Sequence, residues 1–254
     1  MGILNAYAPG DRALTPQAVA ERVGLPLPTV YRLMHSLAAH GMLEKTGAGF
    51  RLGLALLRLG ARVTASIDLR QVVTPYLESL NAATGENAEL HVLRGETRVS
   101  IESVLSAQNL RPIVQIGETL PIHVGASGRA LLAWMPAERA IELAKASAHR
   151  FGGLDHTNWT QFNDLLAAAR RDGWTESESE RADGVAALAA PIFGLNGTVA
   201  GALVLSGPSA RLTARVRAEF APLIRQAGKE ASLAAGFIDT TEQDERARGG
   251  AERD

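Results

Sequence analysis

The chain has 254 residues, 46% of them hydrophobic and 21% charged, with a net charge of −1 and no cysteine. That length suits two cores, and the missing thiols exclude disulfides, thiolate nucleophiles, cysteine-ligated zinc and iron–sulfur clusters. No apolar run approaches the roughly 20 residues that cross a bilayer, and no basic-then-apolar leader opens the chain, so a cytoplasmic protein without membrane partners is expected.

The charge is unevenly spread. Residues 1–62 hold seven basic and three acidic side chains, a net +4, and the remainder holds nineteen and twenty-four, a net −5. A small basic unit on a larger acidic one suggests a polyanionic partner for the first unit alone. In chain order, "LTPQAVAERVG" predicts a short helix: Thr15 suits the N-cap, Pro16 the first turn, and Gly24 a left-handed stop. A turn, Gly24-Leu25-Pro26-Leu27, leads into "PTVYRLMHSLAA". There Val30, Leu33, Met34, Leu37 and Ala38 form one buried face, and Pro28, Arg32, His35 and Ala39 cluster opposite, flanked by Thr29, Tyr31 and Ser36. Two helices joined this way make a helix-turn-helix. "LEKTGAGFRL", Leu43 to Leu52, then reads as two short strands about a Thr46-Gly47-Ala48-Gly49 turn, the wing of a winged helix with Lys45 and Arg51 on its arms.

A recognition helix enters the major groove by its first two turns. Arg32 suits a guanine edge or a phosphate, Thr29 and Tyr31 suit phosphate oxygens, and His35 suits a base edge. With the flanking positions, the expected DNA-facing set is Thr15, Gln17, Pro28, Thr29, Tyr31, Arg32, His35, Lys45 and Arg51. A helical hairpin reused for protein contacts is the alternative.

"LALLRLGARV", Leu54 to Val63, is amphipathic and predicts a linker helix, either a subunit-pairing element or a rigid spacer. Beyond it, a helix over Leu69 to Thr84 precedes strands at Ala88 to Arg94 and Thr97 to Val104; strands at Ala187 to Leu195 and Thr198 to Ser206 flank the hairpin dipeptide Asn196-Gly197. Helices are expected near 126–134, 137–148, 160–171 and 213–236. Strands at both ends with helices between them indicate an α+β domain with an antiparallel sheet. The boundaries are 1–53 for the winged helix-turn-helix, 54–68 for the linker, 69–237 for the second domain and 238–254 for a charged, disordered tail.

Nothing assembles as an active site. Gly125-Ala126-Ser127-Gly128-Arg129 has arginine where a nucleophile elbow needs glycine. The six histidines show no metal-ligand spacing, His156 beside Asp155 reads as a surface pair, and Glu176, Glu178 and Glu180 read as a solvated loop. No catalysis and no cofactor are expected. Ala126, Ser127 and Gly128 open a helix, either as a tight packing turn or as an anion-binding start.

The run "LTPQAVAERVGLPLPTVYRLMHSLAAHGMLEKTGAGFRLG" closely resembles the amino-terminal domain of isocitrate lyase regulator (IclR) type bacterial transcription factors, and "LPIHVGASGRALLA" and "ADGVAALAAPIF…GALVLSGP" extend the resemblance to about Gly236. Pro28 stands where that family often has a serine, and "MGILNAYAPG" falls near the end of what would be a longer first helix, so a shortened helix or a misassigned start is expected. The resemblance implies a GAF-like effector domain, a double-stranded DNA operator of palindromic form, a homodimer or a dimer of dimers, and a small organic acid as effector. A sensor whose winged helix mediates protein contacts is the competing reading. Carried over by position, the ligand-binding residues are Leu110, Ile113, Ser127, Gly128, Ser177, Val185, Ala187, Val204 and Ser206, and the helix-start reading adds Ala126. Ser177 and Val204 replace an aspartate and a serine that occur in acid-binding members, so a less charged, more apolar pocket for an aromatic or branched acid is expected.

Overall fold

The computed structural model describes residues 2–8, 10–59, 68–153 and 157–238. Residues 60–67 of the expected linker, the Asp155-His156 pair and the tail from 239 lie outside the described residues. The chain divides into two compact units, Met1–Ile67 and Asp68–Asp254.

In the first unit, α1 (Gly2–Asn5), α2 (Pro16–Val23) and α3 (Leu27–Ala39) pack on a two-stranded antiparallel wing, β1 (Leu43–Thr46) and β2 (Gly49–Leu52). The Thr15 hydroxyl caps α2 by accepting from the Ala18 amide at 3.2 Å, and Gly24 ends it at φ 66°, a left-handed conformation natural to glycine. The core is Ile3, Leu14, Val19, Val30, Met34, Leu43 and Phe50. Leu14 exchanges backbone hydrogen bonds with Phe50 at 2.8 and 2.9 Å, which ties the segment before α2 to the wing. Residues 54–59 are helical (α4), with Leu54 and Leu57 exposed at 68% and 71%.

The second unit is a six-stranded antiparallel sheet in the order β5-β4-β3-β8-β7-β6. Its strands are β3 (Asn87–Arg94), β4 (Thr97–Val104), β5 (Thr119–Pro121), β6 (Thr175–Glu178), β7 (Val185–Phe193) and β8 (Val199–Pro208). Helices α5 (Leu69–Thr84) and α9 (Ala214–Ala234) share a core with one set of alternating strand residues, including Leu90, Leu188, Ile192, Leu203 and Leu205. On the other face α6 (Ala126–Leu132), α7 (Ala137–Phe151) and α8 (Trp159–Asp172) share a core with Ala189, Ala202 and Val204. Both faces are covered because residues two apart in a strand point the same way, and both sets are largely small or apolar.

Strand β6 corrects the expectation of a loop over the Glu176 to Glu180 run. "TESE" alternates with period two, Thr175 and Ser177 buried and the two glutamates outward. Its inner residues are small and polar, so the alternation carries no hydrophobic signal.

Met34 is fully buried between the helices and the wing. Met34→Ala is expected to destabilise the first unit by about 2–5 kcal/mol, seen as an earlier transition in urea unfolding while the second unit melts unchanged.

Candidate nucleic-acid interface and ligand cavity

In the first unit, packing of Val30 and Met34 inward leaves Pro28, Tyr31, Arg32 and Ser36 of α3 exposed, with Thr29 half-buried. Tyr31 is 52% exposed. Arg32 and, on the wing, Lys45 are exposed and make no ion pair among the described residues. Gln17 is also exposed, and the hydroxyl of Thr15 is engaged in the cap of α2.

Two of the expected DNA-facing side chains are engaged within the unit. His35 does not project freely: its ring lies 4.4 Å from Tyr31 and edge-on to Phe50 at 5.2 Å, with Nε2 buried and unbonded, so it supports Tyr31 instead of presenting a polar edge. Helical spacing alone places His35 on the outer face, but the wing folds over that part of α3. Arg51 is held by Glu44 on the paired strand, Nε and Nη2 donating to one carboxylate oxygen at 2.9 and 2.6 Å. The guanidinium keeps the Glu44 carboxyl below its ordinary range, and the charge Arg51 would bring to a phosphate is already matched.

In the second unit, a small cavity of about 30 Å³, part of it open to solvent, lies between the sheet and the start of α6. Ala126 and Ser127 of α6, Ser177 of β6, Val185 and Ala187 of β7, and Val204 and Ser206 of β8 line it. These are seven of the ten expected ligand-binding residues, so the motif blocks converge on one place. The other three do not reach it. The side chains of Leu110 and Ile113 are 70% and 61% exposed, because backbone carbonyls of their loop are pinned: Asn87 Nδ2 donates to Pro112 O at 2.6 Å and Arg211 Nη1 to Leu110 O at 2.9 Å. Val114 is the residue of that loop that turns in. Gly128 lies where a Cβ would overlap the Ile122 carbonyl, so it serves close packing of α6 and not the cavity.

The remaining lining is charged, contrary to the apolar pocket expected from Ser177 and Val204: Glu89 and His91 of β3, Arg98 of β4, and Arg181. Glu89, His91 and Arg98 are all but inaccessible. Ser206 Oγ donates to Glu89 Oε1 at 2.7 Å. His91 Nδ1 lies 2.9 Å from Ser127 Oγ, and its Nε2 lies 3.0 Å from Glu89 Oε2, close in distance but too poorly aligned to count as a hydrogen bond. Arg98 Nη1 donates to the carbonyls of Pro121 and Val124, and its Nε is buried without a partner.

Burial disfavours charge on His91 and lowers its pKa, overcoming the pull of Glu89, with Arg98 and Arg181 acting in the same direction as burial. Burial also opposes the charge on Glu89, but His91, Ser206 and Arg181 together hold its pKa below the ordinary value. Arg98 is lowered by burial and then by Arg181 to about 9 and stays charged at neutral pH.

These residues eluded sequence reasoning because Glu89 and His91 alternate with Ala88, Leu90 and Val92, the pattern of a strand with one solvated face. That face is roofed by α6. Two ionisable residues two apart on a strand were the available signal.

Ser127, His91 and Glu89 stand in the sequence of a nucleophile, base and orienter. Two nearby amides that could stabilise an oxyanion are engaged, Gly125 N–H with Glu180 at 2.8 Å and Ala126 N–H with Ser177 Oγ at 3.0 Å. The second of these bonds takes up the Ala126 amide, one of the three helix-start amides expected to hold an anion. With Gly125 and Ala126 engaged in this way, neither amide is free to complete an oxyanion hole beside Ser127.

The family described as "Bacterial transcriptional regulator IclR C-terminal" matches residues 61–233, and the "IclR helix-turn-helix domain" matches residues 1–47. Transcriptional repressor IclR of Escherichia coli K12 is 30% identical over 240 residues, covering 91% of this chain and 85% of its own. HTH-type transcriptional regulator KdgR of Dickeya chrysanthemi is 27% identical over 246 residues, covering 94% and 79%. The crystal structure of Pseudomonas aeruginosa HmgR superposes with a TM-score of 0.76 at 25% identity, covering 93% of this chain and 96% of that one.

The lowered pKa values of His91 and Glu89 give the second unit a pH dependence. The unfolded chain binds more protons than the folded one as pH falls below about 6.5, the ordinary histidine value, so stability is full above it and declines on acidification. The melting temperature of the second unit is expected to fall between pH 7 and pH 5, and His91→Gln to flatten the upper part of that profile.

Proposed function

This chain belongs to the IclR family of bacterial transcriptional regulators, DNA-binding proteins and not enzymes, and we propose that it works as a homodimer, or a dimer of dimers, on a palindromic operator under the control of a small organic acid. Residues 1–53 contact DNA, 54–68 join and pair the subunits, and 69–237 bind the effector. The observation that carries the reading is the outer face of α3, where Arg32 and Tyr31 stand exposed at the amino-terminal end of the helix with Lys45 on the wing. A recognition helix presents base-reading groups there. Thr29 and Tyr31 suit phosphate oxygens, and Arg32 suits guanine O6 and N7.

One winged helix reads few base pairs, so pairing two of them on an inverted repeat supplies affinity and specificity. The exposed leucines of α4, Leu54 and Leu57, support a pairing role for the linker. Control follows from linkage. An effector that prefers one arrangement of the dimer over another shifts operator affinity, and DNA shifts effector affinity by the same factor.

Anisotropy titration of the full-length chain on a selected operator tests the reading. Log affinity is expected to fall steeply with log salt as counterions are released. Arg32→Ala is expected to cost about 1–3 kcal/mol and relax sequence preference, and Lys45→Ala to weaken all sequences alike and reduce the salt slope by about 1. Flat salt dependence and an inert Arg32→Ala would favour a winged helix used for protein contacts.

A further inference from the structure

The cavity has an unbalanced charge and an acceptor with spare capacity. Arg98 and Arg181 are positive and neither makes an ion pair among the described residues. Glu89 is the negative group facing them, and His91 is neutral. The nearby Glu180 does not compensate, because Arg129 takes both its oxygens at 2.7 and 2.9 Å. The lining therefore carries one net positive charge, with Arg98 buried and Arg181 half-exposed. A neutral occupant leaves that charge unmatched, and a dianion overshoots and sets a carboxylate against Glu89.

Glu89 adds a second requirement. A carboxylate offers about four acceptor positions, and here Ser206 fills one while His91 approaches without alignment. An acid with no donor would strip water from the remaining lone pairs and replace it with nothing, which is costly for a buried charge.

Resting on the reading of this cavity as the effector site, we infer that its ligand is a monocarboxylate bearing a hydroxyl group, its carboxylate facing Arg98 and Arg181 and its hydroxyl donating to Glu89. Glu89 is then the specificity-determining residue, since a site built around a hydrogen bond discriminates strongly against an analogue that lacks the group.

Calorimetric titration of the full-length chain with matched pairs tests this: propanoate with lactate, butanoate with 3-hydroxybutanoate, benzoate with 3-hydroxybenzoate, and succinate as the dianion. In at least one pair the hydroxy acid is expected to bind about tenfold tighter than its parent, with succinate weakest. Glu89→Gln is expected to cut that preference below about threefold and to improve succinate. The half-exposed Arg181→Gln, which leaves the buried cluster intact, is expected to weaken every acid while preserving the hydroxyl preference. Equal binding within every pair, a preference for succinate, or no binding by any member would overturn the inference. Hydroxy acids that bind as expected without altering operator affinity would sink the proposed control and leave the inference standing; indiscriminate acid binding that does alter it would do the reverse.

Discussion

A guanidinium buried in a protein is costly unless its donors are matched, and Arg129, 2% exposed in the middle of α6, finds partners in a way that shapes the second unit. Its Nε donates to Thr175 Oγ1 at 3.2 Å, its Nη2 to the Glu176 carbonyl, and both terminal nitrogens to Glu180. The arginine thus draws the edge strand β6 and the turn after it over the start of α6. Glu180 and Ser177, so positioned, take the amides of Gly125 and Ala126. The roof of the cavity and its far wall are fixed relative to each other by this one side chain.

The rest of the cavity follows from the sheet. Leu90, Leu188, Leu203 and Leu205 point to the face covered by α5 and α9. Their neighbours in sequence, Glu89, Ala187, Val204 and Ser206, therefore face the cavity beneath α6. Small residues on β7 and β8 leave the space, and charged residues on β3 and β4 furnish it. A site organised in this way holds its donors and acceptors before any ligand arrives, which lowers the ordering cost of binding.

Much of the architecture was legible because it rests on local chemistry. The helix-turn-helix follows from Thr15, Pro16 and Gly24 with the stripe through Val30 and Met34, and the β7–β8 hairpin follows from Asn196-Gly197 between apolar runs. Positions Ser127, Ser177 and Ser206 reached the cavity through resemblance, not through any periodicity. What stayed hidden depends on tertiary partners: nothing local in "NAELHV" tells that its polar face is roofed, nor in "TESE" that it is an edge strand. Arg129 was visible only as a departure from a nucleophile motif; its place there is explained by Glu180, fifty-one residues away. His35 shows the converse error, where exposure inferred from spacing is reduced by Phe50, while Arg51 stays exposed but is paired with Glu44.

The two units carry complementary charge logic. The first presents Arg32 and Lys45 outward on a positive segment, and the second, net acidic, buries Glu89, Arg98 and Arg129 within it; the proposed DNA contact therefore falls on the first. Selection of bound fragments from randomised and genomic DNA by the full-length protein, at two salt concentrations, tests that claim most directly. Enrichment of an inverted repeat that weakens at higher salt is the predicted result; no enriched sequence at either salt would contradict it.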